Sequence, residues 1–196
     1  RGSAGWCHAP FSYTAGMKSA YDPSHLPIET FARAGERLSG TRPMREFERL
    51  ADLAQDSVDQ LVVQFTAQGS VRTDAAGSDA IWLTVSAQTA VPLTCQRCLE
   101  PFATPVAFEQ HFRFVTTEAQ AQEEDESAEE DLLVLSRDFN LLELVEDELL
   151  LALPLVPMHP RCPQDLKLQV ADADFNAAAP EKANPFAALA QLKNKT

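Results

Sequence analysis

No stretch of this chain is apolar for long enough to cross a bilayer. The longest apolar cluster, Leu149–Val156, contains Pro154 and falls well short of the roughly 18 residues that a spanning helix needs. Glycine is scarce, with seven in 196 residues, which leaves little material for the backbone cradles that hold phosphates. A Gly-rich phosphate loop, a GxSxG elbow, an HExxH zinc motif and a dinucleotide fingerprint are all missing. Glu146, Asp147 and Glu148 are consecutive, so on a helix they point in different directions and read as a solvated face, not as a general acid–base pair. These absences argue against an enzyme and against a small-molecule substrate. A hydrolase or nuclease would need a concave carboxylate or His cluster that the sequence does not display.

The first methionine is Met17, and residues 1–16 lack a basic segment followed by an apolar one and a small-residue cleavage site, so they do not read as a secretory signal. They are taken as an expression scar or an in-frame extension, with Met17 as the expected native start. Trp6, Cys7 and His8 are therefore set aside. Cys95, Cys98 and Cys162 remain. An odd number without a secretion signal points to reduced thiols in the cytoplasm and not to a disulfide framework.

Positive charge is also in short supply. The chain has 16 Lys and Arg against 29 Asp and Glu, a net −13, and the excess is local: residues 116–174 hold 3 basic and 16 acidic side chains. Such a chain repels nucleic acid overall, because non-specific affinity comes from neutralising phosphates. RNA would need a local basic surface, whereas a basic protein partner suits the acidic half.

What is present begins with alternation. Leu61, Val63, Phe65 and Ala67 alternate with Val62, Gln64, Thr66 and Gln68. Ile81, Leu83, Val85 and Ala87 alternate with Trp82, Thr84, Ser86 and Gln88, and Val106, Phe108, Gln110, Phe112 and Phe114 keep the same period of two. These runs predict at least three antiparallel strands with one apolar face, the first two joined by a Gly/Ser/Asp-rich loop over 69–79. Helices are expected at Ile28–Leu38, stopped by Ser39-Gly40, at Met44–Ala54, and most strongly at Leu141–Leu153. In the last, Asn140 is the N-cap, Leu141, Leu144, Val145, Leu149 and Ala152 form the apolar stripe, and Glu143, Glu146 and Asp147 face water. The fold class is α+β, an antiparallel sheet with packed helices. Residues 118–131 read as a long acidic loop, since seven of the nine residues from Glu123 to Asp131 are acidic and blocks of like charge repel. The C-terminal tail reads as partly disordered, with a short amphipathic helix at 186–193 opened by Asn184-Pro185.

Two pairs carry candidate chemistry. Cys95-x-x-Cys98 has the spacing of a metal knuckle, and His159 with Cys162 repeats the two-residue gap about sixty residues later. Together they would give the four ligands of a zinc site. The alternative is that the cysteines are small packing residues. A thioredoxin-type role is disfavoured, since CxxC here lies between antiparallel strands and not at a helix start. The basic residues concentrate once, at Arg33, Arg37, Arg42, Arg45 and Arg49. On one surface these five form a candidate RNA-binding stripe, although Glu36, Glu46 and Glu48 among them allow ordinary ion pairs.

The run Cys95-Gln96-Arg97-Cys98-Leu99-Glu100-Pro101 after a Val-Pro-Leu strand resembles the central signature of the YceD family, the large ribosomal RNA subunit accumulation proteins. Leu144–Pro154, followed by Val156-Pro157-Met158-His159 and Cys162, is similar to that family's second signature. The acidic segment between them and the ending Asn184-Pro185-Phe186-Ala187 also fit. The resemblance runs from Met17 to the end, giving one YceD-like domain at 17–170 and a tail at 171–196 after the 1–16 leader. It implies a bacterial cytoplasmic protein, with plastid relatives, that supports normal levels of 23S rRNA and whose gene commonly neighbours that of a small large-subunit ribosomal protein. It brings no catalytic reaction and no settled binding residue. Family members vary in how many metal-type ligands they keep, so here His159 would have to serve as one. The expected partners are 23S rRNA precursor, a basic large-subunit ribosomal protein, or both. The competing expectation is a zinc-binding interaction module with an indirect ribosomal role.

Overall fold

Alternating side chains set the centre of the fold. In the computed structural model, which describes residues 21–73 and 77–163, Val62–Thr73 is strand β2, Asp79–Thr94 is β3 and Pro101–Val115 is β4. They pair as consecutive antiparallel hairpins, with Thr66 opposite Ser86 and Ala87 opposite Phe108. Two edge strands complete a five-stranded sheet in the order β1-β2-β3-β4-β5. β1 (Arg37–Pro43) is antiparallel to β2, and β5 (Asp131–Val134) runs parallel to β4. With helices α1 (Ile28–Arg33), α2 (Glu48–Asp52), α3 (Glu118–Glu124) and α4 (Leu141–Leu151), the class is α+β with a mostly antiparallel sheet. The chain to His159 forms one compact unit; from Pro160 onward it forms a second, described as far as Pro163.

One sheet face is apolar. Val63, Phe65, Leu83, Val85, Phe112 and Phe114 pack against Ile28 and Phe31 of α1, Leu50 of α2 and the Leu141/Val145/Leu149 stripe of α4. Full burial of each such side chain is worth about 1.5–3 kcal/mol. α4 begins as the sequence indicates: Asn140 Oδ1 accepts from the backbone N–H groups of Leu142 (3.1 Å) and Glu143 (3.3 Å), satisfying two otherwise orphaned donors. Among the described residues no helix is long and apolar enough to cross a membrane.

The structure corrects four expectations. The first helix stops at Arg33 instead of Leu38, because Gly35 turns the chain with φ +63° and Arg37–Pro43 is captured by the edge of β2. Leu38 is buried as a strand residue, and Gly40, expected as a breaker, lies within β1 beneath Phe65, whose ring would sit 2.7 Å from any added Cβ. β2 also runs on to Thr73, well into the segment read as a loop. Here Gly69 lets α1 approach: a Cβ at that position would stand 2.5 Å from Ala32 Cα. The third correction is Glu146, which is buried and does not face water.

The fourth concerns residues 118–131, which contain α3 and lead directly into β5. Thr117 Oγ1 accepts from the N–H of Gln120 (3.2 Å), and Gln120 donates to Glu124 Oε1 (2.8 Å). Arg113, projecting from β4, holds Glu124 at 2.7 Å and Glu130 at 2.6 Å. One largely buried guanidinium thus ties both ends of the acidic run, and its charge offsets the repulsion that favours a loop. The Gln120 hydrogen bond and then Arg113 hold the Glu124 carboxyl below its ordinary pKa. Its contribution is therefore complete above the unfolded carboxylate pKa and is lost as pH falls through the lowered folded value. Amide exchange in α3, measured against the intrinsic rate at each pH, is expected to be protected at neutral pH and to lose that protection in acid before the sheet opens. Arg113→Ala should make it fast already at neutral pH. The tail and its helix at 186–193 lie outside the described residues, as do residues 1–16.

Candidate functional site

The hairpin between β3 and β4 closes through Cys95-Gln96-Arg97-Cys98-Leu99-Glu100. The N–H of Cys95 donates to Glu100 O (3.0 Å) and that of Leu99 to Cys95 O (2.9 Å), with Leu99 in the left-handed region at φ 62°. A leucine there costs on the order of 1 kcal/mol, and the two hydrogen bonds hold it. The result is a short knuckle whose first thiol is fully buried and whose second is half-buried.

The second signature returns to this knuckle after α4. Pro154 stops the helix, and the extended segment behind it lets Gln96 N–H donate to Pro157 O at 2.9 Å. Arg97 Nη2 then donates to His159 O (3.0 Å), Cys98 Sγ meets His159 Nδ1 (3.3 Å), and His159 N–H points at Cys95 Sγ (3.4 Å). Phe102 supports the imidazole, with ring centroids 4.4 Å apart. Burial pushes the Cys95 thiol up, but the backbone N–H groups of His159, Cys98 and Arg97, with the His159 side chain, outweigh it and hold the thiol at about 5. These donors favour the thiolate, the form that binds metals.

The candidate ligand atoms of Cys95, Cys98, His159 and Cys162 all lie within 4.8 Å of one another. In a tetrahedral zinc site with Zn–S bonds of about 2.3 Å, ligands stand roughly 3.8 Å apart, so the set needs only a small contraction to close on an ion. Three sulfurs and one imidazole nitrogen form a soft donor set that suits zinc over calcium or magnesium. The residues present fit a structural metal. They would hold it through all four side chains. The four residues paired by spacing in the sequence are thus brought together.

The arginine stripe is distributed differently. Arg33 pairs with Glu29 (3.1 Å), Arg42 with Glu46 (4.0 Å), and Arg49 with Glu146 (3.0 Å) and Asp147 (2.6 Å). Arg45 is exposed in a 3₁₀ turn, and Arg37 stands on β1. The sequence reading missed the counterpart of this pairing. Glu146 Oε1 accepts the backbone N–H of Leu50 (3.1 Å) while Oε2 accepts from Arg49, so one carboxylate fastens α4 to α2. The available signal was its place on the wheel, beside Val145 and one turn from Leu149.

Residues 83–193 match the family model described as large ribosomal RNA subunit accumulation protein YceD. A protein of that name from Haemophilus influenzae is 38% identical over 111 residues, 55% of this chain and 63% of the relative. The chain thus spans less than two thirds of that relative's length. No solved structure matches. The family match includes both halves of the cysteine–histidine cluster and covers more than half of the sequence, and the chain belongs to the YceD family of large ribosomal RNA subunit accumulation proteins.

Proposed function

We propose that this protein is a non-enzymatic factor of ribosome biogenesis that acts in the bacterial cytoplasm and supports the synthesis, processing or accumulation of 23S rRNA. The observation that carries this reading is what the two signature segments do. Within the matched span, the Cys95–Glu100 knuckle and the Pro157–His159 return hydrogen-bond to each other, so the pair builds a scaffold. The donor set suits a closed structural metal, which stabilises a surface and supplies no reaction.

The partners proposed are 23S rRNA precursor and a basic large-subunit ribosomal protein, the latter through the acidic second half of the chain. The Arg33–Arg49 stripe is the weaker candidate for RNA, because Arg33, Arg42 and Arg49 already serve carboxylates of the protein itself. Sucrose-gradient sedimentation of cell extracts tests the reading. The protein is expected to migrate with large-subunit precursors in low salt, and migration at the top of the gradient in every growth phase would overturn it. The Cys/His cluster favours one second reading, a zinc-binding interaction module whose ribosomal effect is indirect.

A further inference from the structure

The apolar side of the sheet is covered by α1, α2 and α4. Among the described residues only α3 approaches the other side, at its β4–β5 margin through Arg113. On that open face strand alternation displays Ser, Thr and Gln from β1, β2 and β3, including the hydrogen-bonded pair Gln64–Gln88 (2.9 Å). Arg72 stacks on the Trp82 ring at 4.0 Å, and Arg37 stands on β1 beside Gln68 of β2. Although the chain has 29 acidic residues, alternation places only Glu109 among the outward positions of β1 to β4. The strand positions themselves thus carry almost no carboxylate on this face, and at its β4–β5 margin Glu124 and Glu130 are held by Arg113, the cross-strand neighbour of Trp82.

We propose that the open sheet face is a binding platform for single-stranded RNA, with Trp82 and Arg72 as the stacking pair and Arg37 as a phosphate contact. The inference rests on the rRNA partner proposed above and names the surface that meets it. The chemistry fits RNA better than protein. A protein interface centres on an apolar anchor with a polar rim, whereas the one large aromatic here is capped by a guanidinium within a field of hydroxyls and amides. Those groups pair with base edges, and aromatic and Arg planes stack on bases whatever their sequence. A shallow hollow of about 320 Å³ lined by Val62, Gln64, Gln88 and Ala107 opens at the other end of the face. It lies six residues from Trp82 along β3, roughly 20 Å away, which marks a track along the strands from the hollow to the Trp82–Arg72 pair.

Trp82 is its own reporter. The chain has two tryptophans, so in a Trp6→Phe background all tryptophan emission comes from Trp82. Titration with a mixed-sequence single-stranded RNA of about 12 nucleotides is expected to quench that emission saturably and to weaken as salt rises. With the RNA carrying a fluorescent label, Trp82→Ala should weaken binding roughly tenfold or more, whereas Trp82→Phe should restore much of it. Arg37→Ala and Arg72→Ala should each lower the salt slope by about one. Circular dichroism identifies any variant that has unfolded, and the arginine variants, altered only at the surface, then carry the test. Absence of RNA binding, binding indifferent to these substitutions, or Trp82 quenching by a basic ribosomal-protein peptide in place of RNA would each overturn the inference. The two proposals fail separately. Co-sedimentation with precursors without oligomer binding removes this surface and leaves the biogenesis role; oligomer binding by a protein that never sediments with precursors does the reverse.

Discussion

Replacing Cys95 by serine is expected to reduce the zinc retained by the purified protein from about one ion per chain to almost none. Three features make this the most damaging of the ligand changes. Cys95 is fully buried, so no solvent molecule can readily take its place. Its sulfur is the one at which the His159 N–H points, 3.4 Å away, and the amides of Cys98 and Arg97 also favour its thiolate. A serine hydroxyl is a harder donor and stays protonated at neutral pH, so the remaining two sulfurs and one nitrogen face the ion without the central charge. Cys98→Ser should act in the same direction. Metal analysis after dialysis, with a chromophoric chelator in competition, reads the difference directly. Equal and stoichiometric zinc in the parent and in Cys95→Ser would defeat the assignment of these ligands. The sheet should persist in the variant, because the knuckle keeps its own backbone hydrogen bonds from Cys95 to Glu100 and from Leu99 to Cys95. A chelator is accordingly expected to lower the thermal midpoint of the parent and to leave that of Cys95→Ser unmoved.

How much of this was visible in the sequence depends on where each determinant lies. β2, β3 and β4 could be read because their period of two is written within each strand and backed by the core. β1 and β5 could not. Arg37–Pro43 has no apolar alternation beyond Leu38, and its strand form comes from pairing with Val62–Gln68. Asp131–Val134 is four residues long and acquires its place from β4. The spacing of Cys95/Cys98 and His159/Cys162 announced two half-sites, but their meeting depends on the chain reversing after Pro154, a tertiary event. Arginine and acidic residues were the least legible. Residue type supplies charge, whereas Arg49, Arg113 and Glu146 owe their roles to partners 97, 17 and 96 positions away.

Glu146 makes that last point measurable. Glu146→Ala is expected to destabilise the fold by about 2–3 kcal/mol, chiefly by leaving the buried N–H of Leu50 without an acceptor. Leu50 is fully buried, so water cannot easily substitute. The charge component should be smaller than for a wholly buried ion pair. The Arg49 side chain is 54% exposed and keeps Asp147 as a partner, so removing Glu146 strands no cation in the interior. That ordering can be checked against a second variant. Glu146→Gln keeps an oxygen for the Leu50 N–H and gives up only the charge, and it should cost less than half as much as alanine. Urea unfolding followed by circular dichroism gives both values; at this chain length about 2–3 kcal/mol corresponds to a fall of roughly 4–12 °C in Tm. If Gln proved as damaging as Ala, the Arg49 charge and not the Leu50 amide would be the principal tie between α2 and α4. If both were neutral, Glu146 would be the solvated residue that its neighbours Asp147 and Glu148 suggest.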